Sequence, residues 1–263
     1  MSCDLKITTF ASGSSGNCVL VSCGDEHILI DAGISMKRVR DNLRLSGVEE
    51  GSLRGILVTH EHFDHIGGLK MLAKYCKFPV YAPGTVANNL RRTTTELDDV
   101  LNTIPVGESF DLGMCRVTAF PTPHDTPQSV GYRIDFAGVS FALATDMGHV
   151  TPEIENMLLG CDAVLIECNH DVERIKQGPY PYYLKKRILS PNGHLCNDDC
   201  AVLARKLAEN GTRYIILGHL SRENNTPALA MAAVKPAVED TGIMLVVAPA
   251  DSRLTVEVSP CCQ

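Results

Sequence analysis

No apolar run in the 263-residue sequence approaches the roughly 20 residues that span a bilayer, so no membrane helix is expected. The N-terminus, Met1-Ser2-Cys3-Asp4-Leu5-Lys6, lacks the charged-then-apolar layout of an export signal, and the expected location is the cytoplasm. Positive charge is also scarce. The net charge of −7 gives no overall field to advertise nucleic-acid binding. Local basic spots stand at Arg91-Arg92 and Lys185-Lys186-Arg187, each readable as a solvated helix face. A GxxxxGK[ST] loop is missing, so no nucleotide cofactor is expected. No low-complexity tract, repeat or linker divides the chain, and residues 1–263 are expected to form one domain.

Cysteine is plentiful but without pattern. The 11 cysteines are irregularly spaced, and the expectation in a reducing compartment is free thiols, mostly buried as small hydrophobes. Cys261-Cys262 lie at a terminus expected to fray. Cys196 and Cys200 are one helical turn apart and can share a metal with His194 in principle. No second Cys/His pair completes a tetrahedral set.

With 44% hydrophobic residues, a sizeable core can form. β-rich runs at 5–10, 18–22 and 27–30 are joined by glycine turns and followed by a helix over 35–45, with Ser35 as its cap. A short apolar strand at 55–59 runs into a histidine-rich segment, and a helix follows over 67–76. Residues 100–143 read as strands. The last third alternates, with helices at 152–159, 197–209 and 227–238 and strands at 163–166, 214–217, 243–247 and 254–258. Two halves of this kind predict two sheets packed face to face with helices outside, an α/β architecture.

Chemistry-bearing residues stand where apolar strands end: Asp31, the run 60–65, His124, Asp146, His170 and His219. Strand ends on one edge of a layered α/β fold converge on a site. Imidazoles and carboxylates gathered there suit a borderline divalent metal such as zinc, manganese or iron. His60 and His62, two apart in extended chain, point the same way. Asp64 and His65 are adjacent, so a turn can aim them at a second metal.

The run His60-Glu61-His62-Phe63-Asp64-His65 resembles the HxHxDH signature of the metallo-β-lactamase superfamily. Leu29-Ile30-Asp31-Ala32-Gly33 is similar to that fold's first motif, whose aspartate supports the metal loop. The resemblance implies a four-layer αβ/βα sandwich over essentially the whole chain. It also implies two divalent ions: His60, His62 and His124 on one, Asp64, His65 and His219 on the other, and Asp146 bridging. Asp64 is then also placed to orient the attacking hydroxide.

Segments 10–18, 165–171, 193–197 and 218–221 resemble the YycJ/WalJ branch, which implies a 5′-to-3′ exonuclease acting on DNA and in DNA repair. Cys168 and Cys196 depart from that branch's pattern, which has small hydroxyl residues there. His194 and His170 are left over as candidate catalytic groups, either one a proton donor to the leaving oxygen or a phosphate partner. Each can equally serve a loop-stabilising hydrogen bond. The loop Ser12-Gly13-Ser14-Ser15-Gly16-Asn17 offers N–H groups to a phosphate, or is a tight connection between two strands.

Rivals share the fold. Aspartate rather than cysteine at position 146 and the missing export signal speak against a β-lactamase. The span between Asp146 and His219 is too short for an inserted β-CASP domain. Small-molecule or cyclic-phosphate phosphodiesterases and lactone or thioester hydrolases stay as alternatives. A catalytically idle binding module is expected to have lost a ligand, and none is lost.

Overall fold

The computed structural model describes residues 4–260, so Cys261 and Cys262 lie outside the described residues. The first half begins with β1 (Leu5–Ala11), β2 (Cys18–Cys23), β3 (Glu26–Ile30) and α1 (Met36–Leu45). It continues through β4 (Leu53–Leu57), α2 (Phe63–Ile66), α3 (Leu69–Cys76), β5 (Val80–Pro83), α4 (Gly84–Thr93) and β6 (Leu101–Ile104). The second half opens with β7 (Ser109–Leu112), β8 (Cys115–Pro121), β9 (Val130–Phe136), β10 (Val139–Ala144), α5 (Pro152–Leu158) and β11 (Ala163–Glu167). Then come α6 (Val172–Gln177), α7 (Tyr182–Ile188), α8 (Asn197–Glu209), β12 (Tyr214–Gly218), α9 (Pro227–Val238), β13 (Met244–Val247) and β14 (Leu254–Val258).

The strands form two seven-stranded sheets, ordered β14-β1-β2-β3-β4-β5-β6 and β13-β12-β11-β10-β9-β8-β7. Both are mixed. β3 to β6 run parallel in one, and β10 to β13 in the other.

Sequence alternation decides the layering, because neighbouring side chains on a strand face opposite ways. Val19, Val21, Ile28 and Ile30 join Val117, Tyr132, Ile134 and Phe141 in a core between the sheets. Leu20, Leu29, Ile56 and Val58 point outward into a second core closed by Val39, Leu43, Leu72 and Leu90. Ala142, Val164, Ile166, Ile215 and Leu217 do the same under Ile154, Leu203, Leu207 and Val234. Helices therefore cover both outer faces, giving the four-layer αβ/βα sandwich. Strands buried on both faces read as continuous apolar runs, as these do.

Three details differ from the sequence reading. The expected helix over 67–76 is α3, which starts only at Leu69. A separate short helix, α2, precedes it inside the histidine run, and between them stands Gly67-Gly68, where an added Cβ on Gly68 would lie 2.0 Å from the Ile34 carbonyl oxygen. β5 and α4 lack a strong sequence signal: β5 has four residues, and α4 mixes Asn and Thr into its apolar stripe Val86, Ala87 and Leu90. α6 and α7 are short and flank the breakers Gly178-Pro179 and Pro181.

Candidate metal centre and cleft

The chain leaves β4 still held by backbone bonds: the Val58 N–H donates to the Tyr81 carbonyl at 2.9 Å and the Thr59 N–H to Asp31 Oδ1 at 2.9 Å. His60 and His62 follow, and α2 turns Asp64 and His65 back toward them. Asp31 is the anchor. Its Oδ2 accepts from the Thr59 hydroxyl at 2.9 Å and from His65 Nδ1 at 2.7 Å, which leaves Nε2 as the donor atom His65 presents to the cluster. Gly33 has to be glycine, since a Cβ there would sit 1.6 Å from the Asp64 carbonyl oxygen. That closeness lets the Asn17 N–H reach the Asp64 carbonyl at 2.7 Å and the Ala32 N–H the His65 carbonyl at 2.8 Å.

The glycine- and serine-rich loop is spent on the same scaffold. The N–H groups of Gly13 and Gly16 are used inside the loop, that of Asn17 on Asp64, and Ser12 Oγ accepts from the His219 N–H at 2.9 Å. Of this loop only Ser14 lines the cleft.

The second sheet delivers its groups singly, from the ends of β10, β11 and β12. Asp146 and His219 both adopt left-handed backbone, with φ of 56° and 54°, as does Asp31 at 61°. Such a conformation costs about 1–3 kcal/mol at a residue other than glycine. Here it swings each side chain off its strand end into the cluster. Glu167 ends β11 fully buried, and both its oxygens are saturated. Oε1 accepts from His194 Nδ1 at 2.7 Å and His219 Nδ1 at 2.9 Å, and Oε2 from the N–H groups of Met147 at 2.9 Å and Leu195 at 3.2 Å. His124 is set by Nδ1 on the Gly193 carbonyl at 3.2 Å, and its Nε2 lies 3.3 Å from His62 Nδ1.

Donor atoms of His60, His62 and His124 lie within 4.8 Å of one another, as do those of Asp64, His65 and His219. Asp146 joins His60 and His65 in a third such group. Its Oδ2 is 3.2 Å from His65 Nε2, and its Oδ1 is 3.6 Å from both His124 Nε2 and His219 Nδ1. A further group combines Asp146, Glu167, His194 and His219, but the saturated oxygens of Glu167 suit it to orienting histidines rather than to ligation. Among the described residues, no such group contains a cysteine. The donor set fits divalent cations: His60 Nε2 and His219 Nε2 are buried without a hydrogen-bond partner, an expensive state for a polar atom unless something binds there.

Electrostatics point the same way. Burial pushes His60 well below the usual imidazole range, helped by His65 beside it. Burial also works against charge on His65, yet Asp146 and Asp31 outweigh it and lift the group to about 10. The same contest, decided by Asp146, Asp64 and Glu167, holds His219 well above its ordinary value. Burial opposes ionisation of Glu167, but His194 and His219 bring it down to about 2. The buried carboxylates are thus ionised and demand cations, a need that divalent metal would meet while releasing protons from the imidazoles.

Above the cluster opens a cleft of about 250 Å³, lined among others by Asp64, Asp146, Arg187, His194 and His219. Of the two leftover histidines, His194 faces the cleft. His170 does not line it: it is buried, its Nδ1 lies 3.3 Å from Asn169 Oδ1, and its carbonyl accepts the Asn197 N–H. Burial takes His170 down to about 4, so it is neutral. Glu167 carried no role in the sequence reading. A lone glutamate has no spacing to mark it, and the available signal was its place at a strand end between Asp146 and His219. Arg187 also departs from the solvated-face reading, lining the cleft in an ion pair with Asp125.

Comparison with known proteins agrees with this geometry. The beta-lactamase superfamily domain matches residues 26–220. The chain belongs to the metallo-β-lactamase superfamily. Within this superfamily of hydrolases it is 34% identical over 246 residues to "Exodeoxyribonuclease YycJ" of Bacillus anthracis, covering 90% of both chains. It is 36% identical over 228 residues to "Exodeoxyribonuclease WalJ" of Streptococcus pneumoniae, covering 86% of this chain and 85% of that one. The superfamily fold is matched by the crystal structure of the metallo-β-lactamase fold protein YhfI from Bacillus subtilis, with a TM-score of 0.74. That match covers 97% of this chain and 99% of the other at 16% identity, a likeness of fold alone.

Proposed function

We propose that the chain is a dinuclear metal-dependent phosphodiesterase acting as a 5′-to-3′ DNA exonuclease, with a role in DNA repair. The observation that carries the reading is the carboxylate of Asp146, set between His124 on one side and His65 and His219 on the other. His60, His62 and His124 would hold one divalent cation, Asp64, His65 and His219 a second, and Asp146 both. Zinc or manganese suits these nitrogen and oxygen donors, and iron does as well. When bound, such a pair polarises a phosphoryl oxygen, lowers the pKa of water and neutralises the leaving oxygen.

The chain's own side chains do the rest. Asp64, at the cleft floor, accepts a hydrogen bond from the attacking water and so orients it. Arg187 reaches a non-bridging phosphate oxygen from the cleft wall. His194 has its Nδ1 on Glu167, so Nε2 is left to donate a proton to the departing 3′-oxygen. Glu167 lifts the His194 pKa against the effect of burial, so the proton is there to give. A positioned acid of this kind contributes roughly 10²–10⁴-fold. His170, buried behind this wall, acts only as a support.

A cleft of about 250 Å³ also takes a small or cyclic phosphodiester. Relatives named as exodeoxyribonucleases across 85–90% of both chains favour DNA. The test is digestion of single-stranded oligonucleotides labelled at either end, with added manganese or zinc, beside a lactone and thioester panel. A 5′ label should appear at once as mononucleotide, while a 3′-labelled strand shortens step by step. Early release of the 3′ label reverses the polarity. Hydrolysis of a lactone or thioester with DNA left intact overturns the phosphodiesterase reading. The repair role is tested by whether cells lacking the gene become sensitive to DNA damage.

A further inference from the structure

Helix α7 is the wall of the cleft and has two working faces. Leu184, Arg187 and Ile188 line the cleft. On the opposite side Tyr182, Lys185, Lys186 and Leu189 follow the i, i+3, i+4, i+7 spacing of a single helical stripe, and they line a shallow groove of about 650 Å³. Tyr182 is 81% exposed and its neighbour Tyr183 74%. Large aromatics this open on a seven-residue helix bury almost nothing in the fold.

The charge is equally out of keeping with the rest of the molecule. In a chain of net charge −7, no acidic residue lines this groove, while three lysines do. Lys176 is paired with Glu173 at 2.8 Å, and Lys185 donates to the Lys176 carbonyl at 2.8 Å. Lys186 makes no ion pair among the described residues. The groove and the cleft share no lining residue but lie on the two faces of this one helix, whose end packs against the His194 segment. Gly193 lets the His194 segment close against the end of α7, since a Cβ there would lie 2.0 Å from the Ile188 carbonyl oxygen. The His194 N–H donates to that same oxygen at 3.1 Å.

We propose that the outer face of α7 is a platform for single-stranded DNA, holding the stretch that follows the scissile phosphate as it leaves the cleft. The proposal rests on the exonuclease reading above. Exposed tyrosines stack bases of any sequence and lysines track the phosphates, the combination by which single strands are held without sequence preference. The helix is about 10 Å long, enough for about three stacked nucleotides.

The test uses the full chain and three variants: Tyr182→Ala/Tyr183→Ala, Tyr182→Phe/Tyr183→Phe and Lys185→Glu/Lys186→Glu. Each is first checked for an unchanged melting temperature. Binding of a fluorescent, hydrolysis-resistant phosphorothioate oligothymidylate to the metal-loaded protein is followed by anisotropy, and turnover is compared between the ordinary oligothymidylate and a dinucleotide. The alanine variant should lose roughly tenfold or more in oligomer affinity, and the phenylalanine variant little. The glutamate variant should weaken binding and flatten its salt dependence. Dinucleotide turnover should change less than about twofold in all three, because none of these residues lines the cleft. If the wild type degrades DNA but the variants treat oligomer and dinucleotide alike, the platform is overturned and the exonuclease reading stands. If the wild type degrades no DNA, the exonuclease reading fails and the platform with it.

Discussion

The first sheet contributes to the site through one six-residue run, residues 60–65, whereas the second contributes Asp146, Glu167 and His219 from three separate strand ends and His124 and His194 from loops. Each half has a buried carboxylate at its centre. Asp31 organises the run through Thr59 and His65, and Glu167 organises the dispersed groups through His194 and His219. The halves differ in what holds them. Sequence proximity places the run, and tertiary structure alone places the rest. Asp146 belongs to the dispersed half yet lies among the donors of both.

That position makes Asp146 the most severe place to break the comparison. Its φ of 56° favours a residue that tolerates left-handed backbone, so Asp146→Asn is a cleaner variant than Asp146→Ala. Loss of the shared charge should remove several kcal/mol of stabilisation, about 10³-fold in turnover at 1.36 kcal/mol per tenfold. Elemental analysis should show metal falling from about two ions per chain, with the circular dichroism spectrum unchanged. A fully active variant carrying both metals would exclude Asp146 as a bridge.

The next effect in size separates metal binding from proton transfer. His194→Ala should keep both metals and its melting temperature but lose roughly 10²–10⁴-fold in turnover on DNA. The loss should be smaller on bis-p-nitrophenyl phosphate, whose leaving group needs little protonation. Equal losses on both substrates would assign His194 to phosphate positioning. No loss on either would return it to a loop-stabilising role.

Comparing the two anchors sharpens the contrast further. Asp31→Asn and Glu167→Gln each remove a charge that orients histidines, and changes of this kind typically cost 10–100-fold in metal affinity. Asp31→Asn should act on metal affinity alone, read by competition with a chelator. Glu167→Gln should in addition lower turnover with metal saturating, because it also loosens His194. Identical behaviour of the two would mean that Glu167 serves His219 only.

This contrast also sets what could be read in the sequence. The run His60 to His65 announced itself because its donors are neighbours in the chain and follow a buried strand directly. The layered fold was legible from the order of short apolar strands and helices once the site residues were seen to stand at strand ends, and helices α8 and α9 were legible to the residue. Glu167 was given no role because its partners lie 27 and 52 residues away, although it stands at a strand end as Asp146 and His219 do. α7 showed in the sequence only as a solvated helix face at Lys185-Lys186-Arg187, without bounds, because proline and glycine punctuate the segment before it and its stripe faces solvent rather than a core. His170 stood at a strand end like the others, but its backbone bridge to Cys196 turns it inward.

The smallest expected effect concerns Cys168 and Cys196, the two positions at which the sequence resemblance led to an expectation of hydroxyl residues. Neither lines the cleft: Cys168 Sγ donates to Asn197 Oδ1 at 3.1 Å in the interior, and Cys196 caps α8 by accepting the Asp199 N–H at 3.4 Å. A thiol is a weak acceptor, and serine is among the preferred residues at this position of a helix. Cys196→Ser should therefore raise the melting temperature slightly. Cys196→Ala should cost less than the about 1 kcal/mol typical of losing a serine or aspartate cap. Both should leave metal content, oligonucleotide affinity and turnover as they are, because the cap lies outside both the donor clusters and the groove on α7. Native thiol alkylation should likewise release no metal. A Cys196→Ser variant that gains affinity for DNA would instead show that a hydroxyl at position 196 touches the strand, and that the substrate's path reaches the start of α8.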